Sequence, residues 1–376
     1  MKITDITICP VKIARKEGFA VWRGRYDYLY NVLVKIQTDE GIAGYGEAAP
    51  IANYFGETQK AIVKNLQYYF APALIGKDPL NIRECIFELD NRLPGNPCSK
   101  AGLDIALHDI KGKALGLSIS SLLGGRLQTK IPLACSVGLD KPEKMKTKIV
   151  AARDEGYTVI KLKGGDIIPR DLENLRIARE AIGFDGPWLR LDANGGYINR
   201  AEVFRYIPDF ESLKLILLEQ PFPYQEWEAT RSLRDRIRIP ILLDESLQTA
   251  WDFRQLVSSP EGFVANIKVQ KNGGLFKASQ MVEIAQQFQI PVMIGSQRES
   301  HIGNTASIHL ASIINCIDYP CDVRYSWSVR EDSDIVDKKP NLTNGQVDVP
   351  EGPGLGIDVL WDKCDSIAMA TYKISN

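Results

Sequence analysis

Histidine is nearly missing: His108, His301 and His309 are the whole supply in 376 residues. A histidine-rich metal site is therefore not expected. The seven cysteines, Cys9, Cys85, Cys98, Cys135, Cys316, Cys321 and Cys364, are odd in number and contain no C-x-x-C pair. Zinc ligation is therefore not expected, and buried reduced thiols are. No apolar run approaches the roughly 20 residues that cross a bilayer. The opening MKITDITICPVKIARKEG lacks the uninterrupted apolar core of a secretory signal. The net charge is −1, which offers neither nucleic acid nor an anionic membrane a surface to hold. These absences leave a soluble, cytoplasmic protein whose partner is a small molecule.

What is present is a rhythm. Between residues 158 and 271 five short apolar runs each end in a charged residue: TVIKLK at Lys163, WLRLD at Asp192, LILLE at Glu219, ILLD at Asp244 and FVANIK at Lys268. The intervals are 29, 27, 25 and 24 residues, each long enough for a strand, a loop and a helix. Such units close into a parallel barrel with every strand's C-terminal end at one mouth. Three carboxylates and two lysines then meet there.

The rest of the chain frames this stretch. With 44% hydrophobic residues there is material for one barrel and a smaller domain. Residues 2–12 and 31–50 read as antiparallel strands. Residues 18–30, GFAVWRGRYDYLY, read as a loop, either an ordinary packed connection or a lid over substrate. Over 57–123 the three- and four-residue spacing predicts helices, with Pro79 placed to open one and Gly116 to end another. His108 is expected to be packed within them. Further barrel strands are expected at 131–136, at IPVMIGSQRES, and, as the eighth, near 316–323. GQVDVPEGPGLGIDV reads as a short strand and a turn. The predicted fold is α/β: a (β/α)8-type, TIM-like barrel over 126–350, an α+β capping domain over 1–125, and a tail, 351–376, that returns to the capping domain.

Asp192, Glu219 and Asp244 form an oxygen-only set on consecutive strands. Burying three carboxylates together is costly without a cation, and oxygen ligands favour magnesium or manganese over zinc. Taken singly, each acid is as well explained as a surface cap on the following helix; the regular spacing argues for a site. Lys163 and Lys268 belong to strands two and six, on opposite sides of a barrel, so each meets one face of a carbon held between them. A lysine acts as a base when its pKa falls toward neutrality, and a cation, a second lysine and burial all push it that way. Lys161 shares the face of Lys163; it either touches a substrate carboxylate or is an ordinary salt-bridged lysine. These parts suit removal of a proton next to a carboxylate. The resulting enediolate carries doubled negative charge, which a divalent cation and lysines stabilise.

In order along the chain, GYGEAAP, KAGLDIALHDIKGKALG, SSLLGG, KLKGG, LRLDANGGY, LEQPF, LLDES, NIKVQKNGG, IGSQRESHIG and PGLGI resemble the enolase superfamily, in its muconate-lactonizing-enzyme subgroup. The resemblance covers nearly the whole chain. It implies one magnesium ion per subunit on Asp192, Glu219 and Asp244, with manganese as a substitute. It implies Lys163 and Lys268 as the acid/base pair, as such sites pair a lysine or histidine base with magnesium. Lys161 would polarise the substrate carboxylate, and Asn194 and Glu245 would support metal and lysine from behind. Homo-oligomers, dimers or octamers, are implied as well. The His/Asp dyad of the mandelate-racemase subgroup does not fit, because strand six ends in Lys268 and strand seven in Ser296-Gln297.

NIKVQK and IGSQRES bring the chain nearest the dipeptide-epimerase branch, where an Asp-x-Asp on strand eight holds the substrate's amino group. Here YPCDVRYSW offers Asp322 and then Arg324, a departure that weighs against an ordinary dipeptide. Ser136, Ser296, Asp322 and Arg324 are the expected substrate contacts. Arg298, and Arg23 or Arg25, are further candidates for binding a second anionic group, though each arginine alone is as readily a surface salt bridge. Tyr325 and Trp327 are either core or a face for an ammonium group.

The expected function is a magnesium-dependent racemase or epimerase of an amino-acid-like carboxylate: a dipeptide, an N-acyl amino acid or another amino-acid derivative. One lysine removes the α-proton and the other returns it. The same enediolate also leads to cycloisomerisation of a muconate-type substrate or to dehydration of a β-hydroxy acid. A non-catalytic barrel that only binds metal or carboxylate is the reading from another class. The presence of all five core residues weighs against it.

Overall fold

The computed structural model describes residues 1–375, save the side chain of Asp365. The chain opens with a long hairpin, β1 (Ile3–Val21) and β2 (Gly24–Thr38), followed by β3 (Ala43–Ala48). The expected loop over 18–30 is instead the far end of this hairpin. Its glycines and charges suggested a loop, yet its aromatic and β-branched residues pair across the strands, Phe19 with Tyr26 and Val21 with Gly24. The turn falls on Trp22 and Arg23, where Gly24 takes φ 144°. A register slip between Ala14 and Phe19 bulges β1. The hairpin end leans on the barrel: Leu139 N donates to Ala20 O at 2.8 Å. A Cβ on Gly138 would stand 2.8 Å from the same oxygen, so only glycine admits that approach.

The last strand, β14 (Tyr372–Ser375), pairs antiparallel with β1 and makes the sheet order β14-β1-β2-β3. Helices Gln59–Asn65, Ile82–Arg92 and Pro97–Leu115 cover this sheet. Ile8, Val34, Phe70, Leu103 and Leu107 belong to the core between them. The second helix begins at Ile82 rather than Pro79, because the Asn81 side chain accepts from Glu84 N and caps it there. The third ends at Gly116, φ 67°. His108 is buried, its Nδ1 2.8 Å from Asp104 O.

Seven parallel strands follow in sequence order: β5 (Ala134–Val137), β6 (Val159–Lys163), β7 (Trp188–Asp192), β8 (Leu215–Glu219), β9 (Ile241–Leu243), β10 (Phe263–Ile267) and β11 (Val292–Ile294). The run expected as barrel strand one is divided at Leu133. Its first part, β4 (Lys130–Pro132), pairs with β13 (Gln346–Asp348), which pairs with β12 (Leu342–Thr343). The eighth strand shrinks to a bridge. Cys321 N donates to Pro132 O at 2.8 Å, Cys321 O accepts from Ala134 N at 2.9 Å, and Asp322 N donates to Ile294 O at 2.9 Å. Residues 321–322 thus close the ring between β5 and β11. Pro320, with no N–H to give, shortens the pairing. Among the described residues no helix is long and apolar enough to cross a membrane.

Candidate active site

The strand registers align the charged ends. Lys163 pairs with Asp192, and Asp192 with Glu219; Asp244 and Lys268 each stand one residue beyond β9 and β10. Lys163 Nζ lies 2.5 Å from Asp192 Oδ2 and 3.0 Å from Asn194 Oδ1. Lys268 Nζ lies 2.5 Å from Asp244 Oδ2. Three strands separate β6 from β10 in the sheet, so the two lysines face each other across the ring. Both line one cavity of about 70 Å³, with Ser136, Lys161, Asp192, Asn194, Asp244, Glu245, Ser296 and Asp322. Glu219 is fully buried behind them, and Arg324 faces a neighbouring cavity.

Beneath the cavity floor lies a layer of charge. Lys161 Nζ reaches Asp322 Oδ2 at 2.5 Å, and Asp192 Oδ2 and Glu219 Oε2 at 3.2 Å each. Arg190 bonds the other Asp322 oxygen and stands 3.6 Å from Glu219. Lys271 holds Asp244 from behind, with Nζ 2.7 Å from its carbonyl oxygen and 3.0 Å from Oδ1. Sequence reasoning missed Arg190 and Lys271. Arg190 was signalled by its place two residues before Asp192, on the same strand face. Gly295 leaves space for Lys268: a Cβ there would stand 2.7 Å from Lys268 Cε and 2.4 Å from Asn266 Oδ1.

Burial alone would raise every carboxyl in this layer. At Asp192 it is outweighed by Lys163 and Lys161, and at Asp244 by Lys268 and Lys271, so both fall below the usual range. Glu219 is pushed up to about 7 by burial and then Asp192. Glu245 is pushed up to about 8 by burial and then Asp244, and its Oε2 has no hydrogen-bond partner. Burial works against charge on Lys268, but Asp244 and Glu219 outweigh it and its pKa rises. Burial and a neighbouring acid thus make Glu219 and Glu245 hold a proton more tightly than Asp192 and Asp244 do. As the side chains stand, no three acid, histidine or cysteine groups among the described residues share one ligand point, for Lys161 bridges Asp192 and Glu219 while Lys268 and Lys271 hold Asp244. The oxygen-only donor set and the orphaned Glu245 oxygen fit a hard divalent cation.

The hairpin and the segment after β3 cover the mouth: Phe19, Val21, Tyr54 and Phe55 line it. Of the hairpin arginines, Arg23 donates to Asn53 O at 2.5 Å and Arg25 pairs with exposed Asp27. Arg298 lines the cavity, with its guanidinium 3.3 Å above the Tyr26 ring. Trp327 meets His301 edge-on at 5.2 Å and, like Tyr325, borders the neighbouring cavity.

Residues 3–124 match the mandelate racemase/muconate lactonizing enzyme N-terminal domain, and residues 144–363 match the enolase C-terminal domain-like family. The chain belongs to the mandelate racemase/muconate lactonizing enzyme family of the enolase superfamily. The N-succinyl-L-Arg/Lys racemase of Bacillus cereus is 29% identical over 377 residues, 98% of each chain; its crystal structure superposes with a TM-score of 0.94 over 100% of both chains. The crystal structure of the Cytophaga hutchinsonii dipeptide epimerase, complexed with Mg and D-Ala-L-Val, gives 0.92 at 30% identity over 100% of both chains. The cis-3-hydroxy-L-proline dehydratase of Roseibium aggregatum is 32% identical over 367 residues, 96% of this chain and 97% of that one.

Proposed function

We propose that the chain is a magnesium-dependent racemase or epimerase that removes and returns the α-proton of an N-acylated amino acid or dipeptide. The observation that carries this reading is that Lys163 and Lys268, from opposite sides of the ring, line one cavity. Asp192, Glu219 and Asp244 would hold the ion. When bound, it stabilises the negative charge that develops on the substrate carboxylate as the proton leaves.

The remaining work falls to the chain's own side chains. Either lysine, as the free amine, takes the α-proton on its Nζ; the other, as ammonium, delivers one to the opposite face. Lys161, fixed by three carboxylates, adds positive charge beside the substrate carboxylate. Asn194 orients Lys163 and ties Glu245 at 3.0 Å. Phe19, Val21 and Tyr54 exclude water from the mouth.

Manganese as a substitute, one ion per subunit, a homo-oligomer of two or eight chains, a cytoplasmic setting and domain limits near residues 125 and 350 belong to the same reading. The test is incubation in deuterated water with both enantiomers of N-acyl amino acids and with dipeptides. Deuterium entering the α-position of both enantiomers supports the reading; no exchange in any substrate overturns it. Dehydration is the second reading, favoured by the 32% identity to the hydroxyproline dehydratase. A product lighter by one water distinguishes it.

A further inference from the structure

A second cavity, of about 310 Å³, adjoins the first and shares Phe19, Ser136, Asp322 and Tyr325 with it. Its walls are the β1 bulge, the end of β5, the helix Pro142–Asp154 and the segment after residue 322. Two guanidinium groups enter it. Arg324 Nη1 lies 2.6 Å from Cys135 Sγ, and its plane stands 4.8 Å from the Tyr157 ring. Arg15 bonds the Tyr325 hydroxyl and stacks 4.4 Å from that ring, while its buried Nε has no partner. Among the described residues neither guanidinium has a carboxylate within 4.0 Å. The acids on the same walls are otherwise engaged or peripheral. Glu17 pairs with Lys148 at 2.7 Å, Asp322 is held by Lys161 and Arg190, and Glu155 is exposed at the rim.

A planar, weakly hydrated guanidinium is matched best by a carboxylate, which it binds through paired N–H groups. Two of them facing an empty space of this size, one wall away from the catalytic lysines, describe a site for the far end of a substrate. We propose that Arg15 and Arg324 bind a second carboxylate of the substrate, so that the preferred substrate is a dianion whose second carboxylate lies on the acyl arm or on the amino-acid side chain. This rests on the racemase reading and narrows its substrate class. It also accounts for Arg324 standing two residues after Asp322: the position would recognise an anion rather than an ammonium group.

Three substrates separate the sources: N-succinyl-phenylalanine, N-acetyl-phenylalanine and N-acetyl-glutamate, each followed by α-proton exchange in wild type, Arg324→Met and Arg15→Met. One dianion is expected to exceed N-acetyl-phenylalanine in kcat/KM by about 10- to 100-fold, chiefly through KM. Preference for the succinyl compound places the carboxylate on the acyl arm, and preference for N-acetyl-glutamate places it on the side chain. Each variant should collapse that ratio; Arg324→Lys should restore part of it. Equal kcat/KM for all three substrates, or variants that lower all three alike, would overturn the proposal.

Calorimetric binding of N-succinyl-glycine and of N-acetyl-glutamate, each against N-acetyl-glycine, keeps the two readings apart. If nothing exchanges but either dianion binds at least 10-fold tighter in a way that Arg324→Met removes, the racemase reading falls and the subsite stands. If neither dianion binds more tightly than N-acetyl-glycine, the subsite falls.

Discussion

Lys161 Nζ lies 2.5 Å from Asp322 Oδ2, joining the second barrel strand to the short bridge that closes the ring. The other Asp322 oxygen is taken by Arg190. One carboxylate therefore bonds two buried cations, and its removal leaves Arg190 with Glu219 alone, at 3.6 Å, and Lys161 with Asp192 and Glu219 at 3.2 Å each. Asp322→Asn is expected to lower stability by about 3–5 kcal/mol, the usual cost of breaking a buried pair from one side. Urea unfolding measures it. A loss under ~1 kcal/mol would mean that Asp192 and Glu219 suffice to hold both cations.

Lys163 and Lys268 should fail separately. Each alanine variant is expected to lose deuterium incorporation from one enantiomer by about 10²–10⁴-fold. The opposite enantiomer should still lose its α-proton to the remaining lysine, although turnover to the mirror product stops. Loss of exchange from both enantiomers in either single variant would contradict a division of labour between two faces.

Removal of divalent metal by chelation should stop exchange, and magnesium should restore it. Magnesium alone should also raise the melting temperature of the wild type, because binding at 100 times Kd stabilises by about 2.7 kcal/mol. Asp244→Asn should abolish that rise. A thermal shift that survives in Asp244→Asn would place the ion elsewhere.

The sequence made the acids legible because each ends an apolar run at a regular interval. It left Arg190 unread, since a cation inside the run WLRLD looks like an interruption until the strand face is known. Lys271 lay past the strand end, and only the fold turns it back on Asp244. The hairpin over 18–30 was hidden by composition: its glycines and charges read as a loop, while the pairing that makes it a strand comes from a partner on the same hairpin. The eighth strand was over-read. The apolar residues near Cys321 are real, but hydrogen bonds to Pro132, Ala134 and Ile294 are all they make of it.

Glu47 ties the first sheet to the barrel's seventh loop. It accepts from Asn31 Nδ2 at 2.6 Å, Ser300 N at 2.9 Å, Ser300 Oγ at 2.8 Å and Gly303 N at 2.9 Å. Asn31 also donates to the carbonyl of Arg298, a residue of the cavity wall held at φ 71°. Glu47→Ala strands several buried donors at roughly 1–3 kcal/mol each. Glu47→Gln sets an amide N–H against the Ser300 and Gly303 N–H groups. Both should lower the urea midpoint, alanine more, and both should raise KM by loosening Arg298. An unchanged KM would confine Glu47 to a structural role.

His309 supplies a pH dependence of its own. It is fully buried, with Nε2 3.0 Å from Leu355 O, and ties its helix to the chain's final segment. Burial, against the help of that carbonyl and with a small push from Arg126, lowers its pKa to about 4. The unfolded chain titrates near 6.5. Between those values the unfolded state takes up a proton that the folded state refuses, so stability falls as pH drops below about 6.5, and the loss levels off below about 4. From pH 7 to pH 5 this single group should cost about 2 kcal/mol. In His309→Gln the amide can still donate to Leu355 O, and the titration is gone. The drop in melting temperature from pH 7 to pH 5 should therefore be smaller in the variant than in the wild type, whatever the variant's own stability. Equal drops would show that His309 is protonated as readily in the folded chain as in the unfolded one.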